Sequence, residues 1–441
     1  MKSNPIPENI DFFNLFNELD ISKEALWDIA FDTKLIKRRR TIHPTDLLHA
    51  LCMESLQGTV SHNDLAAKIE SGSGTAVSKV AIWKKINKYC LDFLKKVFGL
   101  VIQNKFSKNR PLLETPLFKR IIVQDSTIIR LPQRLFEEFS GVANGHSIVC
   151  NSRIQCVYDL VSEQFLSFSV DGYSKTDYEA APELVLEKGD LTLRDRGYLI
   201  ADEIQRHIDQ EADCIYRHKY KLALLDTQNE KTINLLGLLQ NRKHVDMMVK
   251  LNNKDKTVIR LLATPVSKEI ADERRRKAKK ELKKTPPADY LELLGWSIFL
   301  TTVPKETADI GKVFGLYKLR WRIEIIFKSW KSNMSFSRIH NVSKIQLWVI
   351  LWSRFIMIII CTQLIYTPCR AVVKANSNND LSLIKVIHYL IRNLQKMILI
   401  LKELMDKNQS HSQIYKLAKY CSYDKRIKRT HYQIDMQIIY T

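Results

Sequence analysis

Tyr317-Lys318-Leu319-Arg320-Trp321-Arg322-Ile323-Glu324, with Trp330-Lys331 close behind, is the stretch that decides the fold. At about 100° per residue, Tyr317, Arg320, Glu324 and Lys331 fall within about 60° of arc on a single helix. Leu316, Leu319, Ile323, Ile326 and Trp330 gather on another face. Such a helix buries one side and presents a phenol, two cations and a carboxylate on the other. Phosphate chemistry suits that face: an acidic oxygen for a divalent metal, beside donors that grip phosphodiester oxygens. A plain i,i+4 pair between Arg320 and Glu324 is the bland alternative. It leaves the common stripe with Tyr317 and Lys331 unexplained.

Two further acids extend this reading. Asp125 interrupts the apolar strand Ile121-Ile122-Val123-Gln124-Asp125-Ser126-Thr127-Ile128-Ile129, where a lone buried carboxylate is costly without a metal or a donor. The structural alternative is a turn capped by Asp125 with Ser126 and Thr127. Asp195 closes the short strand Asp190–Arg194 and opens Asp195-Arg196-Gly197-Tyr198, in which Gly197 permits a sharp exit towards a helix near Ala201. Asp159, Asp171, Asp177 and Asp190 compete with Asp195 for the same role. Asp125, Asp195 and Glu324 together are expected to hold two Mg²⁺ ions about 4 Å apart, the arrangement that activates a hydroxyl and stabilises a departing oxygen. Hard oxygen ligands without neighbouring Cys or His favour Mg²⁺ or Mn²⁺ over zinc.

The bulk composition points the same way. In 441 residues, 69 Lys and Arg stand against 48 Asp and Glu, a net charge of +21, which favours a polyanion such as nucleic acid over a membrane surface. A chain of this length exceeds one ordinary core, so several domains are expected. Eight cysteines without Cys-x-x-Cys spacing suggest neither a zinc site nor a disulfide framework. The polar start predicts a reducing cytoplasmic, nucleoid-associated location. The apolar run Ile345–Tyr366 is interrupted by Gln346, Ser353, Arg354 and Gln363, so a buried core helix is expected instead of a membrane span.

The pattern also orders the chain. Residues 10 to about 105 read as helices, with Ser61-His62-Asn63-Asp64 as a capping box, a turn at Ser71-Gly72-Ser73-Gly74, and Ser78 capping a longer helix. Two helices across a Gly turn predict a helix-turn-helix. The second of them packs Val80, Trp83, Ile86 and Cys90 and shows Lys84, Lys85 and Lys88 as DNA contacts, next to the cluster Lys37-Arg38-Arg39-Arg40. A solvated helix of an all-α domain is the alternative. Strands follow at Arg120–Leu131, Ser152–Leu160 and Phe165–Val170, the last two as a hairpin. His244–Leu251, Thr257–Ala263 and Trp296–Thr302 are strand candidates around the charged run 273–280, which looks like a subdomain inserted into a mixed α/β core.

The blocks around Asp125, Asp195 and Tyr317–Lys331 resemble the cut-and-paste DDE transposases of bacterial insertion sequences, in the class marked by a Tyr-(2)-Arg-(3)-Glu-(6)-Lys signature. The likeness is good from about 115 to 365 and weak outside. It implies a ribonuclease-H-like α/β core at 111–205 and 306–370, with a mainly β insertion at 206–305. An all-α N-terminal DNA-binding domain at 1–110 and a helical basic region at 371–441 would flank it. It implies catalysis and Mg²⁺ ligation by Asp125, Asp195 and Glu324, phosphate contacts from Tyr317, Arg320, Lys331 and Arg196, and stacking of Trp296 on a base flipped out of a hairpin. Double-stranded DNA with terminal inverted repeats is the implied substrate, worked on by a paired homodimer. Two rival readings are a metal-dependent nuclease without strand transfer, and a non-cutting DNA-binding regulator that keeps the fold.

Overall fold

The computed structural model describes residues 16, 21–103, 116–141, 149–240, 242–281, 285–377, 379–405, 411–423 and 438–439. The expected helix over 10–19 and the last basic residues lie almost wholly outside them. Among the described residues five helices precede the sheet: α1 Lys23–Asp32, α2 Pro44–Ser55, α3 His62–Ser73, α4 Lys79–Lys85 and α5 Lys88–Ile102. The Ser61 side chain and Asp64 form the anticipated capping box at the start of α3. Helix α3 runs on through Ser73 and ends at Gly74, whose φ of +70° closes the helix in the left-handed region that favours glycine. The long helix expected after Ser78 is two helices. Asn87 accepts from the Tyr89 and Cys90 amides and starts a new one, so α4 stops after seven residues. The consequence is a correction to the packing: Ile82, Ile86 and Cys90 are buried, while Val80 and Trp83 stand exposed.

Nine strands form one sheet in the order β3-β2-β1-β4-β5-β9-β8-β7-β6. The first half comprises β1 Arg120–Arg130, β2 Asn151–Asp159, β3 Gln164–Gly172, β4 Asp190–Arg194 and β5 Asp213–Arg217, with α6 Ala201–Asp209 between the last two. Strands β1, β2 and β3 are antiparallel neighbours, whereas β4 pairs parallel with β1 and β5 parallel with β4. Strand β4 is buried along its whole length, as a strand covered on both faces must be. The remaining strands, β6 Leu224–Leu225, β7 Val245–Leu251, β8 Val258–Pro265 and β9 Trp296–Thr301, continue the sheet through the antiparallel β5–β9 pair. The helices α7 Leu235–Gln240, α8 Lys268–Glu281 and α9 Ala288–Leu293 lie among them. Strand β5 falls inside the stretch expected to be inserted, yet it pairs with β4 and completes the five-strand mixed sheet.

The stretch Tyr317–Lys331 is not one regular helix. Helix α10 Ile310–Lys318 passes through a 3₁₀ turn at Leu319–Trp321 into α11 Arg322–Asn333. Its apolar side behaves as the pattern required, with Leu316, Leu319, Ile323, Ile326 and Trp330 all buried. Trp330 packs against Phe165 and Phe168 of β3 and against Phe336. Next comes α12 Lys344–Ile359, continued by a π-helical segment Ile360–Tyr366 into α13 Thr367–Asn376. Pro368 has no N–H to return to the preceding turn, and the Thr367 hydroxyl donates to the Thr362 carbonyl there. This run is long and apolar enough to cross a membrane, but 78% of its most apolar window is buried inside the fold. Helices α14 Leu383–Arg392, α15 Leu394–Met405 and α16 Ser412–Cys421 are the last among the described residues.

Helix α12 is the shared wall. It packs on α2 and α5, and one apolar core runs from the N-terminal helices through β1–β3 to the C-terminal helices, while the far half of the sheet keeps a second core. Arg354 sits in that wall fully buried. It donates to the Ser55 carbonyl at 2.7 Å and to the Arg338 carbonyl at 3.1 Å, so its charge is met by backbone dipoles at the end of α2. Replacing it by Met would strand those carbonyls, at about 1–3 kcal/mol each. Arg354→Met should therefore lower the urea unfolding midpoint clearly, and an unchanged midpoint would mean the contacts do not hold the helices in place.

Candidate active site

Register brings the first two acids together. In the parallel β1–β4 pair Gln124 stands opposite Arg194, so one residue further along Asp125 and Asp195 sit side by side on strands about 4.8 Å apart. Residues in register on parallel strands point to the same face. Strand β5 adds a third position to this row: Leu193 pairs with Ile215, which sets Arg217 beside Asp195. Arg217 was not among the expected site residues, because β5 carries too short an apolar signal to be recognised, and without its strand the arginine has no register.

The third acid comes from the opposite side. The guanidinium of Arg320 donates from one nitrogen to Asp125 at 2.9 Å and from another to Glu324 at 3.0 Å. Burial works against the Arg320 charge, and Tyr317, Asp125, Asp195 and Glu324 outweigh it, so its pKa rises. Burial pushes the Asp125 carboxyl up to about 6, against the pull of Arg320 and of the Ser126 amide, with Glu324 and Asp195 adding to the rise. Three carboxylates thus feel one another around a single cation. Among the described residues no three acidic, His or Cys side chains are close enough to hold a metal ion in this arrangement. The reason is visible: the Arg320 guanidinium lies between Asp125 and Glu324. In place of the expected cage, Asp125 and Glu324 share the Arg320 guanidinium, and Asp195 acts on it through its charge.

The competing acids are all engaged by other partners. Asp159 accepts from the Ile121, Val161 and Ser162 amides, and Asp190 pairs with Arg120. Asp171 takes Lys175 at 2.5 Å, and Asp177 takes Arg153 and the Ser126 hydroxyl. The turn after Asp195 is a 3₁₀ turn over Arg196–Tyr198. Gly197 is not among the residues with positive φ, so the sharp exit needs no left-handed glycine. The Tyr198 hydroxyl donates to Gln155 at 2.7 Å and ties the turn to β2.

The other expected contacts divide. Tyr317 is buried and its hydroxyl donates to the Arg194 carbonyl at 3.3 Å, just before Asp195; burial pushes its pKa up to about 12. Lys331 is half-buried, its pKa lowered by that burial, and no salt bridge engages it among the described residues. Arg196 is exposed. Trp296 begins β9, half-buried against the second core, and lines a small cleft with Arg196, Arg217, His218 and Tyr290. Lys84 and Lys88 are exposed, but the Lys85 ammonium donates to the Leu35 carbonyl at 2.8 Å. Lys85 is therefore a tie within the N-terminal helices. Trp321, unremarked in the sequence pattern, is 59% exposed beside the site, with the Arg320 guanidinium 5.3 Å from its ring.

A mixed sheet in the order 3-2-1-4-5, with one acid midway along β1, a second beside it just past the end of β4 and a third on the helical segment after α10, agrees with the ribonuclease-H-like frame of phosphoryl-transfer enzymes. Residues 116–360 match the family model described as "Transposase DDE domain". Similar proteins include the transposase for insertion sequence element IS231F of Bacillus thuringiensis subsp. israelensis, 27% identical over 78% of each chain. That for IS231B of Bacillus thuringiensis subsp. berliner is 26% identical over 92% of this chain and 94% of the relative. The transposase for IS1151 of Clostridium perfringens is 26% identical over 84% and 83%. This chain belongs to the family of bacterial insertion-sequence DDE transposases.

The buried Asp125 carries a consequence for stability. Its folded pKa of about 6 lies above the ordinary 3.8, so the folded chain binds more protons than the unfolded one between these values, and stability falls as pH rises through the window. The loss is on the order of 3 kcal/mol at about 1.36 kcal/mol per unit. In metal-free buffer, Asp125→Asn should remove most of the pH 4–6 slope in the unfolding midpoint and raise stability at pH 7. A slope identical to the parent's would contradict the burial of this carboxylate.

Proposed function

We propose that this chain excises an insertion sequence and moves it by Mg²⁺-dependent phosphodiester transfer in the Tyr-Arg-Glu-Lys manner. Water first cuts the 3′ end of the element, and the freed 3′-hydroxyl attacks the opposite strand to close a hairpin. A second water reopens the hairpin, and the 3′-hydroxyl then attacks target DNA. Every step exchanges one P–O bond for another, with the proton of the attacking hydroxyl ending on the departing oxygen or on solvent. The observation that carries this reading is the shared row of Asp125 and Asp195, with Glu324 bound to the same guanidinium as Asp125.

The donor set fits hard divalent cations. Asp125, Asp195 and Glu324 are oxygen ligands only, and a buried carboxyl raised to about 6 calls for nearby positive charge to stay ionised. Two Mg²⁺ ions held there, or Mn²⁺ in their place, would supply activation of the attacking hydroxyl and neutralisation of the leaving oxygen. The remaining roles belong to the chain itself. Tyr317 fixes the end of β4 through the Arg194 carbonyl and so orients Asp195. Arg320 supplies positive charge between the acids and, with Lys331, Arg196 and Arg217, faces the phosphates of the cleaved strand. Trp296, at the edge of the cleft beside Arg217, stacks on the base turned out of the hairpin.

Double-stranded DNA ends and target DNA are the partners in this proposal, with two copies of the chain pairing the ends. The N-terminal helices form its DNA-binding domain, the sheet strands β6–β9 its insertion, and the helices after 370 its C-terminal region.

Excision from a reporter plasmid should vanish in Glu324→Ala, and undiminished excision would remove Glu324 from the chemistry. Joining of precleaved ends to a second plasmid separates a transposase from a nuclease; cleavage without joining would favour the nuclease. Lys331→Ala should weaken DNA binding and reduce the slope of log affinity against log salt by about 1. A parent-like slope would take Lys331 off the phosphate.

A further inference from the structure

Arg320 stands where the acids of the site would need a cation. Its guanidinium donates to Asp125 at 2.9 Å and to Glu324 at 3.0 Å, with Asp195 beside Asp125 one step past the Gln124–Arg194 pair. One side chain thus occupies two of the three carboxylates at once. The two arms of this bridge differ. The Asp125 side chain is 19% exposed and the Glu324 side chain 38%, so the Glu324 arm is the more open to solvent. The guanidinium itself lies 5.3 Å from the ring of the exposed Trp321 and 6.0 Å from that of the buried Tyr317.

Arginine donors suit phosphate oxygens as well as they suit carboxylates. A phosphodiester that enters from the Glu324 side can therefore take over the Arg320 donors with little net loss of hydrogen bonding. The acids left behind then repel one another until another cation joins them. Resting on the reading that Asp125, Asp195 and Glu324 hold hard divalent cations, we infer that the Arg320 bridge is an autoinhibitory contact, which keeps those cations off Asp125 and Glu324 until a DNA phosphate draws the guanidinium away. The side chain that excludes the metal is the one that grips the substrate. Metal and DNA binding are thereby coupled, each raising the affinity for the other by the same factor. A lysine at this position would keep the charge but not the bridge, because an ammonium has no planar fork to span two carboxylates.

The test reads cation occupancy instead of cutting. The full chain is treated with Fe²⁺, ascorbate and hydrogen peroxide, which release hydroxyl radicals at a bound ion and break the backbone beside it, with and without a short duplex. Fragments ending near Asp125, Asp195 and Glu324 should appear in the parent only with the duplex present. Arg320→Gln should give them without DNA, and should bind Mn²⁺ in DNA-free buffer about 10-fold or more tightly than the parent, read from the electron-spin-resonance signal of the free ion. Adding Glu324→Gln to Arg320→Gln should abolish that gain, which locates it at these acids. Arg320→Lys should show part of the gain; it also serves as the second variant should the unfolding midpoint in EDTA reveal that Arg320→Gln does not fold. A parent that yields the same fragments with and without duplex would overturn the inference and leave the catalytic reading standing. So would an Arg320→Lys chain that binds Mn²⁺ no better than the parent. Fragments near the acids in no chain, with or without DNA, would sink the catalytic reading and the bridge together.

Discussion

The guanidinium of Arg320 bonds one acid 195 positions away in the chain and another one helical turn further along its own segment. One hydrogen bond reaches Asp125 on the central strand and the other reaches Glu324 on the same helical segment. The helix cannot slide along the sheet without breaking one of them, and the pair is too buried for water to take over easily. The aromatic packing of Trp330 against β3 holds the same helix from its other face. Position and charge at the candidate site therefore have one origin.

That arrangement concentrates unfavourable charge at the candidate site. Two carboxylates share one cation with a third nearby, and the Asp125 carboxyl has its pKa raised. Proteins tolerate such clusters where function demands them, and they lose stability by doing so. The surrounding sheet, continuous over nine strands, and the wall made by the long helix at 344–376 provide the rigidity that keeps the acids in place.

Much of this was legible in the sequence because the signals were local. Asp125 stood out as a charge in an apolar strand, Asp195 as the end of a short one, and Tyr317–Lys331 as a stripe; the pattern named β1, β4 and the apolar face of the helix. What could not be read was register across distance. Arg217 enters the site only because β5 lies parallel to β4, and nothing in its own neighbourhood says so. Nor could the pattern show that Arg320 stands between two of the acids, since side-chain pairing within a site depends on the balance of burial and charge. The break at Asn87 was missed for a different reason: an asparagine in a helical pattern is unremarkable until its side chain is seen capping two amides. Trp83 moved from core to surface with that break.

The account stands on the three acids forming one cation-binding centre. The most direct measurement is an anomalous difference map from crystals grown with a DNA end and Mn²⁺. It should contain density touching the carboxylates of Asp125, Asp195 and Glu324, with the Arg320 guanidinium displaced from at least one of them. Density elsewhere on the chain, or none with the arginine still bridging Asp125 and Glu324, would contradict it.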